Sequence, residues 1–250
     1  MTFALLEPAL AEVAPRFELH APDGFLTIPV ALVMWALSLV VLAIAVDRAS
    51  RSLDERAVPL MGVTAAFIFA AQMVKFPVAG GTSGHLLGGV LAAVLLGPWA
   101  ATLVMTAVIA VQALVYQDGG LVVLGANIFN MGIVGTMGGY AIYASLCRVL
   151  GGESRGRLPA AAIAAWSAVM LGALAMTVEL AISGTSPLEV SLPAMLGVHA
   201  LIGVGEALIT VAALAFIGAV RPDLLTLRDA PRGTDATGRA PGMPGAQGAR

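Results

Sequence analysis

Three histidines, His20, His85 and His199, are the side chains of this 250-residue chain best suited to chemistry. Imidazole nitrogen favours borderline divalent ions such as nickel, cobalt, copper and zinc. His85 closes a glycine-rich run, Gly80-Gly81-Thr82-Ser83-Gly84-His85. Such a run lets the backbone approach a ligand closely and sets the histidine at the start of the following helix. His20 stands in a polar stretch ahead of the first apolar segment, and Asp23 and Gly24 follow it closely. Asp23 after Pro22 is placed to cap a turn or to orient a histidine. The remaining polar groups within apolar stretches are Gln72, Gln112, Asn127, Asn130, Glu179 and Glu206. An ionisable group inside a membrane helix costs about 2.5–3.5 kcal/mol on insertion scales, so each one needs a function or a partner. Single residues of this kind commonly pack helices together; taken as a set with the histidines, they suggest a pocket for a polar solute.

Several chemistries are excluded. The single lysine, Lys75, precedes Phe76, so no G-x-x-x-x-G-K-[ST] loop is present and the chain does not hydrolyse ATP by that device. One cysteine, Cys147, leaves no disulfide framework and no Cys-cluster metal site. Neither H-E-x-x-H nor a nucleophile motif supports an intramembrane enzyme built from His20, His85 and Glu206. No Asp/Glu cluster resembles a calcium cage, and the basic residues form no stripe for nucleic acid.

The elements that position these groups are membrane helices. Hydrophobic residues make up 59% of the chain and charged residues 11%, with a mean hydropathy of +0.93. So few charges could not cover the surface of a soluble domain, which is about 25% charged. Seven apolar segments are expected, near 27–46, 58–74, 85–96, 99–116, 125–149, 158–182 and 191–220. All but the third approach the ~20 residues that cross a bilayer. The third is a short span or a re-entrant piece. Arg48, Arg51, Arg56, Arg148, Arg155, Arg157 and the arginines of 221–250 fall on one side, and Arg16 and Lys75 on the other. Positive charge stays inside. The expected fold is therefore an all-α integral membrane bundle of seven helices, N-terminus outside and C-terminus inside. On this orientation these polar groups lie towards the outer side, with Glu206 deeper. Residues 1–18 form an N-terminal extension, 19–220 the membrane domain, and 221–250, rich in Gly, Pro, Ala and Arg, a disordered cytoplasmic tail. The pairs Gly135-x-x-x-Gly139 and Gly203-x-x-x-Ala207 suit close helix packing.

Four spaced motifs resemble one family. His20-Ala21-Pro22-Asp23-Gly24-Phe25-Leu26 is similar to the N-terminal signature of the CbiM/NikM family, the substrate-capture components of energy-coupling factor importers for cobalt and nickel. The Gly80–His85 run, Leu124-Gly125-Ala126-Asn127 through Asn130, and Val198-His199-Ala200-Leu201-Ile202-Gly203 through Glu206 resemble the family's further motifs. The resemblance spans about 19–220. It implies Co(II) or Ni(II) as transported substrate and no organic cofactor. It also implies a location in the cell inner membrane and an N-terminal segment that dips into the bundle. The implied partners are a CbiQ-type coupling protein, CbiO-type ATPases and a small CbiN- or NikN-type membrane protein. His20 and His85 map onto the family's histidine ligands. The family's terminal amine and the adjoining backbone map near Leu19, which here has residues before it. Asp23, Asn127 and His199 are then expected around the pocket. The competing reading from the residues alone is an ion-coupled secondary transporter that uses Glu179 and Glu206 as proton carriers; no inverted repeat of broken helices supports it.

Overall fold

The computed structural model describes residues 20–53, 57–74, 76–77 and 83–225. Leu19, Lys75, the Gly80–Thr82 part of the glycine run, and the 1–18 and 226–250 portions of the two expected end segments lie outside these. Seven helical segments follow one another among the described residues: α1 (Ile28–Ser52), α2 (Ala57–Met73), α3 (Gly89–Leu96), α4 (Pro98–Tyr116), α5 (124–149), α6 (Glu153–Ser183) and α7 (Leu188–Val220). A two-residue antiparallel ribbon between α2 and α3 pairs β1 (Phe76–Pro77) with β2 (Ser83–Gly84), a small addition to the all-α expectation.

The lipid-facing character is read from α1. Its buried residues, Ala31, Met34, Ser38, Ala45 and Ala49, recur at helical spacing and form one stripe. Leu32, Val33, Val40 and Val46 on the other faces are more than half exposed, the reverse of a soluble helix. Four helices, α1, α4, α6 and α7, are long and apolar enough to cross a membrane, and α2 is a shorter apolar helix. In α5 an α-helical turn, Leu124–Asn127, leads into a π-helical stretch, Ile128–Gly138, before α-helix resumes over Gly139–Val149.

At the centre lies α3, whose eight residues are all apolar or glycine and all buried. It packs against α2, α4, α5, α6 and α7. Small residues permit this enclosure. A Cβ on Gly139 would lie 2.5 Å from Val90 Cγ2 and 3.1 Å from Ala168 Cβ, so α3, α5 and α6 meet at that glycine. Ala160, Ala161, Ala164, Ala165 and Ala168 line the buried face of α6.

The expected third helix began at 85; the observed helix begins at Gly89. The cause is local. The N–H groups of Leu87 and Gly88 are bonded to the Glu206 carboxylate, and Gly88 takes φ 81°, left-handed backbone that costs L-residues about 1–2 kcal/mol. His85 therefore sits in a non-helical stretch ahead of α3. The helices α6 and α7 start earlier than the expected 158 and 191, at Glu153 and Leu188. Hydropathy locates the lipid boundary, whereas the polar first turn of α6 stays helical with an i,i+4 pair, Arg157 to Glu153 at 3.3 Å. After α7, the 3₁₀ turn Pro222–Leu225 buries Leu225 in the core.

Candidate metal site

The N-terminal segment 20–27 inserts its start into the bundle: His20, Ala21 and Leu26 are buried, while Pro22, Asp23, Gly24 and Thr27 stay exposed. Asn127, in the first turn of α5, clasps Ala21 on both sides. Its Oδ1 accepts the Ala21 N–H at 2.8 Å, and its Nδ2 donates to the Ala21 carbonyl at 3.1 Å. Gly120 N–H donates to the same carbonyl at 2.9 Å. The Asp23 carboxylate accepts N–H bonds from Leu121, Val122 and Val123 at 3.1, 2.8 and 3.2 Å. It so satisfies the backbone donors of the loop just ahead of α5. The loop is anchored in turn by α1: Trp35 Nε1 donates to the Val122 carbonyl at 2.9 Å and Ser38 Oγ to the Gly125 carbonyl at 2.7 Å.

This seating brings His20 to His85. The two rings lie 4.8 Å apart between centroids and 46° from parallel. His85 Nδ1 is 2.8 Å from the Leu86 carbonyl. A carbonyl only accepts, so Nδ1 carries the hydrogen and the ring's lone pair is on Nε2. His20 Nδ1 lies 3.2 Å from Asp118 Oδ1, at ion-pair distance though too oblique for a good hydrogen bond. His20 Nε2 is buried with no partner. A ring nitrogen held by an oxygen acceptor, with the other nitrogen turned to a site, is the usual outer-shell support of a metal-binding histidine.

Asp118 was not among the residues singled out from sequence. Its signal was weak: one carboxylate in the run Gln117-Asp118-Gly119-Gly120 between α4 and α5. The structure adds that Gln117 has φ 57°, the one positive value at a non-glycine residue among those described. Left-handed backbone at such a residue is sustained only where its surroundings enforce it.

The stretch that carries His85 is held by a second polar set. Glu206 binds the Leu87 and Gly88 N–H groups at 2.6 and 2.8 Å. Gln72 Nε2 donates to the Leu87 carbonyl at 2.7 Å, and Gln112 Nε2 to Gln72 Oε1 at 2.7 Å. The sequence suggested that these groups face a solute; in the fold Glu206 and Gln72 grip the backbone next to His85, and Gln112 holds Gln72. Asn130 and Glu179 pair with each other, Nδ2 to Oε2 at 3.1 Å, with Met176 Sδ beside Asn130. His199 is fully buried on α7, with Nδ1 2.7 Å from the Met195 carbonyl and Nε2 unpartnered. Among the described residues no three His, Cys, Asp or Glu side chains are grouped to enclose an ion. The paired rings of His20 and His85, with a carboxylate behind one, define a nitrogen-rich site at the seat of the inserted segment.

A multi-pass helical membrane protein with two imidazoles paired where its N-terminal segment enters the bundle has the form of a transition-metal transporter. The family pattern "Cobalt uptake substrate-specific transmembrane region" matches residues 20–224, and the chain belongs to this CbiM family. It is 40% identical over 215 residues to a protein of Archaeoglobus fulgidus named as a fused nickel transport protein NikMN. That match covers 85% of this chain and 70% of the relative. A protein of Haloquadratum walsbyi named for metal transport is 41% identical over 209 residues, with coverage of 83% and 93%. A crystal structure of a transition metal transporter superposes with a TM-score of 0.73 at 33% identity, covering 80% of this chain and 93% of the other. These relatives are transport proteins, not enzymes.

Proposed function

We propose that this chain is the membrane-embedded capture component of an ATP-driven importer for Co(II) or Ni(II), with His20 and His85 as ligands at the outer face. The observation that carries the reading is the pair of imidazoles 4.8 Å apart, one of them at the tip of a buried N-terminal segment fixed by Asn127, Gly120 and Asp23. Imidazole nitrogen matches these ions. The proposal includes seven crossings, with the N-terminus outside and the C-terminus inside the cell inner membrane. The non-helical 85–88 stretch and α3 together cover up to about 25 Å, close to the ~30 Å of a hydrocarbon core. The far end of α3 packs against the turn that follows α7, which suits a segment that crosses rather than returns.

The chain offers no P-loop, so the proposed energy source is external: CbiO-type ATPases acting through a CbiQ-type coupling protein, with a small CbiN- or NikN-type membrane partner. The fused nickel transport name borne by the Archaeoglobus relative supports the last of these. The ion-coupled alternative retains Glu179, whose Oε1 has no partner, but not Glu206, both of whose oxygens are bonded to backbone N–H groups. The test is uptake of cobalt and nickel by cells that carry the chain with its partner ATPase. His85→Ala is expected to abolish uptake with membrane insertion unchanged, and so is inactivation of the ATPase. Undiminished uptake in His85→Ala removes His85 from the site; uptake that persists without the ATPase and collapses with the proton gradient moves the reading to Glu179.

A further inference from the structure

We infer that His199 is a second metal donor, separate from the capture pair and at about the same depth, which takes the ion from that pair before it moves inward; the inference rests on the capture reading above. The ring has the form of a prepared ligand. Its Nδ1 donates to the Met195 carbonyl at 2.7 Å, so Nε2 carries the lone pair; Nε2 is fully buried and has no partner. A buried imidazole acceptor left empty costs free energy that an ordinary packing residue avoids.

Its position follows from bonds already described. Glu206 touches Leu87 and Gly88 directly. His199 lies seven residues earlier on α7, nearly two turns, which returns it to the same face about 10 Å along the axis. α3 starts beside Glu206, and its far end meets the turn after α7, so it runs in the same direction as α7. Going back along the chain from Leu87 to His85 therefore leads the same way as going back from Glu206 to His199. His85, two residues away at up to about 3.3 Å each, reaches nearly the same height. His199 thus faces the side on which the His85–Leu86 stretch runs. The three histidines do not form one closed shell, since no such group exists among the described residues. This arrangement suits transfer between stations better than a third ligand at one site. Thr210 continues the stripe one turn beyond Glu206, buried, with an unpartnered Oγ1, so the face of α7 below His199 carries one further oxygen donor.

The experiment separates capture from passage. Co(II) binding is measured on the purified full chain, and Co(II) uptake in cells with the importer partners present. His199→Ala and His199→Gln are each expected to change the capture affinity less than about threefold and to lower uptake at least tenfold. In His199→Cys, loading with excess Co(II) is expected to produce a sulfur-to-cobalt charge-transfer band that the parent chain, with Cys147 alone, does not show. A packing role moves neither the band nor the ratio of uptake to binding. Uptake within twofold of the parent in His199→Gln, or no new band in a His199→Cys protein that still binds Co(II) at the capture site, overturns the inference. A parent chain that binds no Co(II) or Ni(II) overturns the capture reading itself, a distinct result.

Discussion

The sharpest test of how the site is assembled is Gly120→Ala, one methyl group placed on the loop that receives the N-terminal segment. That Cβ would lie 2.1 Å from Asp23 Oδ1 and 2.3 Å from the Asp23 backbone nitrogen. Neither atom yields easily: Oδ1 holds the N–H groups of Val122 and Val123, and the nitrogen is main chain. Relief requires the segment to withdraw, which weakens Asp23's bonds to 121–123 and the Gly120 bond to Ala21. Hydrogen bonds to a charged group contribute about 1.5–3 kcal/mol and neutral ones about 1, so loss of one or two amounts to about 3 kcal/mol. That is about a hundredfold in an equilibrium constant. Any margin by which the docked segment exceeds the undocked one subtracts from it, so the expected loss of Co(II) affinity lies between about fivefold and a hundredfold. Isothermal titration of the purified protein reads the affinity, and thermal unfolding shows that the helix bundle survives. Gly62→Ala, whose Cβ meets nothing within 4 Å, is the control and should leave affinity unchanged. A Gly120→Ala protein that binds Co(II) within twofold of the parent refutes the seating of His20 described above.

Three further outcomes are expected. Asp118→Asn removes the carboxylate beside His20 Nδ1 and should weaken metal binding by about 10–100-fold, the usual effect of an outer-shell change; unchanged affinity would make Asp118 a bystander. Accessibility labelling should place the 226–250 segment inside and 1–19 outside; both ends on one side would make the 85–96 stretch re-entrant. Trimming the chain so that Leu19 becomes the first residue supplies a terminal amine next to His20 and should tighten binding. Equal affinity before and after trimming would show that the amine is not a donor here.

The sequence made the large features legible because membrane helices announce themselves by length and hydropathy. It located α5 within one residue, α1, α2, α4, α6 and α7 within about six, and the histidines that the fold brings together. It misjudged what cannot be read from periodicity. The residues of the 85–88 stretch are apolar or glycine like those of a helix, but their N–H groups are bonded by Glu206, 118 residues away from Gly88. Such a bond has no local trace. Gln72, Gln112 and Asn127 were visible as costly polar groups in apolar helices, and the cost argument was sound. Asn127 and Gln72 proved to bind backbone atoms of the two segments that carry His20 and His85, and Gln112 to hold Gln72. Asp118 passed unnoticed because a carboxylate in a Gly-containing loop is ordinary until a ring is seen 3.2 Å from it.

The same pattern explains why this site is assembled from the chain's least regular pieces. A helix presents side chains outward at fixed angles and keeps its own N–H and C=O groups occupied. Here the two imidazoles, 4.8 Å apart, are each carried on backbone that leaves its own N–H and C=O groups without helical partners. The fold uses two non-helical stretches, 20–27 and 85–88, and returns their unpaired backbone groups to side chains from distant helices. In a bilayer this is obligatory, because lipid offers no substitute for a missing hydrogen bond. Asn127, Asp23, Glu206 and Gln72 are thus the condition under which irregular backbone can lie buried in an apolar bundle. The histidines follow from where that backbone is allowed to go.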